Sequence, residues 1–217
     1  MMNIANLGQF VIDGNEPGVI ENVNLLVAGK ADPITIINEG LLSGMNVVGE
    51  KFKSGEMFVP EVLMAARAMN AGMDIVKPLI ADNDMPSLGT IVIGTVKGDL
   101  HDIGKNLVVM MLESAGFKVI DLGIDAKVEQ FVAAVKENDA DIIGMSAMLT
   151  TTMTYMQEVI KACEAEGLDV QYLVGGAPLS PGYSEKIGAI YAADASGAVD
   201  TAKKLVGDSV MKEVMFA

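Results

Sequence analysis

Side chains that do metal and redox chemistry are scarce in this sequence: 217 residues contain one histidine, His101, and one cysteine, Cys163. A single cysteine excludes an internal disulfide and every zinc or iron–sulfur site built on cysteine ligands. Cys163 reads as a small apolar residue in a helix. Positive charge is also short. Fifteen Lys and Arg face 29 acidic residues, a formal charge of −14. That balance repels nucleic acid and anionic membrane alike, and no Lys/Arg cluster makes a local exception. No uninterrupted apolar run reaches the length of a membrane span. No Lys or Arg precedes Lys30, so no cationic stretch leads into a signal segment, and a cytoplasmic protein is expected. What the chain does have is apolar material. Hydrophobic residues make up 51% and charged residues 20%, the balance of a globular protein with a real core.

The two halves have different patterns. The first reads as helix, with expected segments Ile4–Ile12 and Pro17–Gly29. Asp32-Pro33 then supplies an N-cap acceptor followed by the residue best suited to N1. Ile34, Ile37, Leu41, Met45 and Val48 follow at helical spacing, and Pro60 opens a further helix with Leu63, Ala66, Met69, Met73 and Val76 along one face. Four short helices make a small bundle. The polar, aperiodic stretch Ala81–Gly89 reads as a linker. We therefore expect a helical domain over 1–85 and an α/β domain over 86–217. The second half repeats strand, loop and helix. Expected strands are Thr90–Val96, Lys118–Asp121, Asp141–Ser146, Gln171–Val174 and Ala189–Tyr191. Expected helices lie near Ile103–Ala115, Val128–Glu137, Thr152–Glu166, Pro181–Ile187 and Ala195–Val206. Continuous apolar strands alternating with helices predict a parallel sheet covered on both faces, with a flavodoxin-like, Rossmann-type order of five strands.

In such a sheet the loops after the strands share one edge, where ligands bind. Three of them carry small or polar residues: Gly98–Gly104, Gly144–Thr152 and Val174–Pro178. The first superficially resembles a phosphate loop. Its spacing is one residue too long, Asn106 replaces the magnesium-binding hydroxyl, and Asp99 and Asp102 would repel phosphates. Metal ligation by His101 fits better. Imidazole is the usual nitrogen ligand, and its second nitrogen wants a carboxylate to fix the tautomer, which Asp99 can supply. One protein ligand cannot hold a bare ion, so the other bonds must come from a macrocycle. From composition alone, a loop histidine without a role is the plainer reading. The surrounding pattern reverses that.

The run Asp99-x-His101-x-x-Gly104 resembles the signature of corrinoid-binding domains of the methionine-synthase type. Ser146 and Gly175-Gly176 stand at that family's later positions. Upstream, Met45–Gly49 and Gly55–Glu61 resemble its helical cap, so the resemblance covers most of the chain. It implies that His101 replaces dimethylbenzimidazole as the lower axial ligand of cobalt, with Asp99 hydrogen-bonded to it and Thr152 completing the relay. It implies a cofactor site over Gly98, Asp99, Leu100, His101, Asp102, Ile103 and Gly104. Met148 would also bind the cofactor, and Ser146, Thr150, Gly175, Gly176 and Ala177 would line the slot for the displaced nucleotide tail, with Ala195 near its far end. Ser146-Ala147-Met148 stands where the family often has Ser-x-Leu. Met64 and Met69 read as core, whereas Met57 and Phe58 read as a cap over the upper corrin face.

A cap plus a corrinoid domain resembles the stand-alone corrinoid proteins of methyltransferase systems. Their cofactor, cobalamin or a related corrinoid, alternates between cob(I)alamin and methylcob(III)alamin. The implied partners are a substrate:corrinoid methyltransferase, a methylcorrinoid:tetrahydrofolate or coenzyme M methyltransferase, and an ATP-dependent reductive activator. Methylamines, betaines, methanol or methoxylated aromatics would be the donors, and the chain would carry methyl groups without being an autonomous enzyme. A cobalamin-dependent sensor, the corrinoid subunit of a mutase, and a flavodoxin-like fold without corrinoid stand as alternatives. A sensor needs an output domain, and no DNA-binding helix set or basic stripe is visible.

Overall fold

The computed structural model describes residues 4–80 and 87–216, with side chains omitted at Ala5 and beyond Gly207. Most of the expected linker, residues 81–86, lies outside the described residues. The described chain forms two compact units. One holds the residues up to 80 with Ser114–Gly116, and the other holds the rest.

The first unit comprises α1 (Ile4–Ile12), α2 (Glu16–Ala28), α3 (Pro33–Thr35), a π-helical stretch (Ile36–Leu42), α4 (Ser43–Ser54) and α5 (Val59–Val76). Side chains start its helices as the sequence suggests. Asp32 Oδ2 accepts the Thr35 amide at 2.8 Å and Asn15 Oδ1 accepts the Gly18 amide at 3.1 Å. Glu61 reaches back to the Phe58 amide at 2.8 Å. The π-helical stretch departs from expectation. Its i→i+5 turns shift the phase between the residues before and after it, so Ile36 joins Ile37 and Leu41 in the core and Ile34 stays outside. On α5 the buried face is Val62, Ala65, Ala66, Met69 and Val76, with Leu63 and Met73 at its flanks. Met69 is core as expected, but Met64 is 55% exposed. At about 100° per residue it sits roughly opposite Val62 and cannot share that face.

The second unit is a five-stranded sheet of β1 (Thr90–Thr95), β2 (Lys118–Asp121), β3 (Ile142–Ser146), β4 (Gln171–Gly175) and β5 (Ile190–Tyr191) in the order β2-β1-β3-β4-β5. Every pairing is parallel, which is the flavodoxin-like order. Helices α6 (Ile103–Ser114), α7 (Val128–Asn138), α8 (Tyr155–Ala165), α9 (Pro181–Lys186) and α10 (Ala195–Phe216) connect and follow the strands. β1 and β3 are buried on both faces, as continuous apolar strands require. The core gathers around Phe131, Val92, Ile143, Val159 and Met156. α8 begins at Tyr155, later than the expected Thr152. The Thr152 and Met153 amides both bond the Leu149 carbonyl, holding that stretch in tight turns. Thr95, Ser146 and Gly175 lie in register across β1, β3 and β4. One row of residues therefore delivers three loops to the same edge.

Candidate functional site

β1 ends at Thr95, whose Oγ1 donates to the His101 carbonyl at 2.9 Å and draws the following loop back toward the strand. Within that loop Asp99 is fully buried and its carboxylate accepts on both oxygens. Oδ1 takes the His101 amide at 3.1 Å and His101 Nδ1 at 2.8 Å. Oδ2 takes the Met148 amide at 2.7 Å and Thr152 Oγ1 at 2.6 Å. Burial alone would push the Asp99 carboxyl up. The bonds from Thr152, Met148 and His101 outweigh it and hold the group well below the usual carboxylate range.

That charge state fixes the imidazole. An ionised carboxylate only accepts hydrogen bonds, so Nδ1 must carry the proton shared with Asp99. Nε2 is left as the lone-pair nitrogen on the other side of the ring. The His101 side chain is 54% exposed, so the ring is anchored at Nδ1 while the side chain as a whole stays open to solvent. This is the arrangement that metal-ligating histidines adopt.

The loops after β1 and β3 that meet at Asp99 also expose apolar side chains. Ile103 is 87% exposed and Leu100 67%, and Met148 and Leu149 are exposed as well. Exposed apolar side chains on the loop of a single nitrogen donor and on the loop bonded to it suit a flat macrocycle better than a hydrated ion. Among the described residues no group of three or more His, Cys, Asp or Glu side chains could hold a metal ion.

The expected slot residues sort by position. Ser146 is half-buried at the tip of β3, while Thr150, Gly176 and Ala177 are exposed on the loops after β3 and β4. Gly176 sits at φ +129°, and a Cβ there would overlap the Ala147 carbonyl oxygen, so only glycine fits. Gly98 and Gly104 are exposed and Asp102 is half-buried, its carboxylate accepting Asn106 Nδ2 at 3.1 Å. Ala195 is buried at the start of α10, where Asp194 caps the Gly197 amide at 2.7 Å. It offers a ligand little side-chain surface. In the first unit, half-buried Met57 and exposed Phe58 immediately precede α5.

The structure thus brings together Asp99, His101, Thr152 and Met148. Three further contributors were not anticipated. The Thr95 hydroxyl, Asp125 (whose Oδ1 accepts the Gly98 amide at 2.7 Å) and the buried Lys105 (whose Nζ donates to Asp121 Oδ2 at 2.6 Å) all steady the histidine loop. A threonine closing the strand before a chemistry-bearing loop was a usable signal. Asp125 left none, since its role depends on the fold of the loop after β2.

Comparison with known proteins points the same way. Two family models, each described as a B12 binding domain, match residues 89–201 and 4–77. A corrinoid protein of Desulfitobacterium hafniense is 46% identical over 213 residues, covering 95% of this chain and 99% of that one. Dimethylamine corrinoid protein 1 of Methanosarcina acetivorans is 48% identical over 182 residues, 82% and 85% of the two chains. The crystal structure of the methanol:cobalamin methyltransferase complex of Methanosarcina barkeri superposes with a TM-score of 0.88 at 30% identity, covering 94% of this chain and 79% of that one.

Proposed function

Because the chain belongs to the family of B12-binding corrinoid proteins, we propose that it is the methyl-carrying subunit of a methyltransferase system whose donor is a methylated amine. When bound, the corrinoid supplies the group-transfer chemistry, its cobalt carrying a methyl group from a substrate:corrinoid methyltransferase to a second methyltransferase acting on tetrahydrofolate or coenzyme M. The observation that carries the reading is the imidazole anchored at Nδ1 by Asp99 on a side chain that stays half exposed.

Each residue then has a task. His101 would hold the corrinoid's metal through Nε2. Asp99, held by Thr152 and the Met148 amide, keeps the proton on Nδ1. That leaves Nε2 as the nitrogen through which the ring would hold a metal. Leu100, Ile103 and Met148 would offer the corrinoid exposed apolar surface. Ser146, Thr150, Gly175, Gly176 and Ala177 line the slot for the nucleotide tail. A reductive activator completes the set of partners. Among the described residues no helix is long and apolar enough to cross a membrane, in keeping with the cytoplasmic location we propose.

An amine donor is favoured by the 48% identity to a protein named for dimethylamine, against 30% to the methanol complex. The test supplies cobalamin-loaded protein with amine-specific and methanol-specific methyltransferases and isotopically labelled mono-, di- and trimethylamine and methanol. Protein-bound label is expected with an amine and its own methyltransferase. Label from methanol alone would refute the amine assignment. Failure with every donor, while cobalamin stays histidine-ligated, would favour a sensory module.

A further inference from the structure

Asp99 fixes the imidazole through its side chain, so the orientation of His101 also depends on what fixes the backbone at Asp99. The answer lies in the loop after β2. Asp125 is exposed yet occupies the left-handed region at φ +52°, which costs most residues free energy and which Asp and Asn tolerate best. In that conformation it makes two bonds to the turn before His101. Its Oδ1 accepts the Gly98 amide at 2.7 Å, and its own amide donates to the Asp99 carbonyl at 3.1 Å.

The stretch that carries Asp125 is itself pinned. The Leu122 amide bonds Ile93 O at 2.7 Å, the Thr95 amide bonds Gly123 O at 2.9 Å, and the Ala126 amide returns to Thr95 O at 2.9 Å. At its start, Asp121 takes the buried Lys105 from the first turn of α6. The loop bearing His101 is thus gripped before the histidine at Gly98 and Asp99 and after it at Lys105, by the same residues 121–126. A strained conformation that places both a donor and an acceptor on one turn is how a scaffold holds a site residue from behind.

We propose that Asp125 is a positioning residue for His101. It locks the Gly98–Asp99 turn so that the Asp99 carboxylate, and through it the imidazole, presents Nε2 in one direction. The role rests on the corrinoid reading, and Asp125 itself touches neither metal nor macrocycle. Asp125→Gly keeps the left-handed backbone and loses the acceptor, Asp125→Ala loses the acceptor and adds strain, and Asp125→Asn keeps both the acceptor and the conformation.

Three readouts separate the possibilities in the full chain: Gly98 amide exchange without ligand, the histidine-ligated fraction of bound cob(II)alamin by electron paramagnetic resonance, and cobalamin affinity. Asp125→Gly and Asp125→Ala are expected to speed Gly98 exchange. They should also weaken cobalamin binding about three- to tenfold, with a lower ligated fraction, as the loss of one exposed charge-assisted bond allows. Asp125→Asn should stay within about twofold of wild type. The unfolding midpoint of Asp125→Gly should hold, because relief of strain offsets the lost bond. Wild-type ligation and affinity in Asp125→Gly, or an equal loss in Asp125→Asn, would overturn the proposal. Absence of histidine ligation in wild type would overturn the corrinoid reading itself, whereas fast Gly98 exchange with ligation retained would overturn only the positioning role.

Discussion

Asp99→Asn is expected to cost the second unit about 2–4 kcal/mol of unfolding free energy at neutral pH and to release the imidazole from its fixed tautomer. The native carboxylate receives four donors, the His101 amide and Nδ1 on one oxygen and the Met148 amide and Thr152 hydroxyl on the other. An amide of the same shape has one oxygen and one NH2, so one pair of donors meets another donor in a site closed to water. The carboxyl is held below its ordinary range by those bonds despite burial, and that sets the pH dependence. A depressed folded-state value means the stabilisation is complete above about pH 5 and is lost as pH falls through the ordinary range toward the folded value. The gap between wild type and Asp99→Asn should therefore be widest near neutrality and narrow toward about pH 3. All four tyrosines fall at 155, 172, 183 and 191, so tyrosine fluorescence in urea follows this unit alone. A gap that is absent, or constant with pH, would show that Asp99 is not the ionised hub described.

The second large effect is Gly176→Ala. The new Cβ would overlap the Ala147 carbonyl oxygen, a backbone atom with little room to retreat, and the residue would keep a φ of +129° that L side chains rarely adopt. Steric and conformational costs add to about 3 kcal/mol or more. The Ala147 amide bonds Gly175 O at 3.3 Å and the Leu179 amide bonds Gly176 O at 3.1 Å, so any backbone shift spreads into the loops after both β3 and β4. Gly98→Ala is the comparison. It too has positive φ, +81°, but its Cβ would meet nothing closer than Thr152 Cγ2 at 3.6 Å. That leaves only the conformational term, about 1–2 kcal/mol. The same tyrosine-monitored unfolding should rank the two variants in that order. Equal losses would mean that crowding against Ala147 is not what reserves position 176 for glycine.

Legibility in the sequence followed the range of the interactions. The five strands were readable because each is a short apolar run bounded by breakers, and alternation with helices made their pairing parallel, but their order was taken from the flavodoxin-like pattern and not fixed by any local signal. Asp99 and His101 were readable as a pair because they are two residues apart on one loop. Thr152 lies 53 residues from Asp99 and was reached only through resemblance. Nothing local marks it out, and its hydroxyl matters only because β1 and β3 are neighbours. Asp125 escaped for the same reason, compounded by a conformation that neighbouring residues do not signal. Met64 and Ile34 were misplaced by phase. A 3.6-residue repeat does not reveal where a seven-residue π-helical stretch interrupts it, nor which of two adjacent apolar stripes on α5 faces inward.

The central claim is that His101, through Nε2, is the axial nitrogen ligand of a bound corrinoid. Because the chain has one histidine, the decisive measurement is electron paramagnetic resonance of the protein loaded with cob(II)alamin, prepared with natural-abundance and with 15N-labelled histidine. The account predicts nitrogen splitting of the cobalt lines that turns from triplets to doublets on labelling and disappears in His101→Ala. Splitting that ignores the label would mean that the cofactor keeps its own base. The absence of any nitrogen splitting would mean that His101 is not a ligand. Either result contradicts the account.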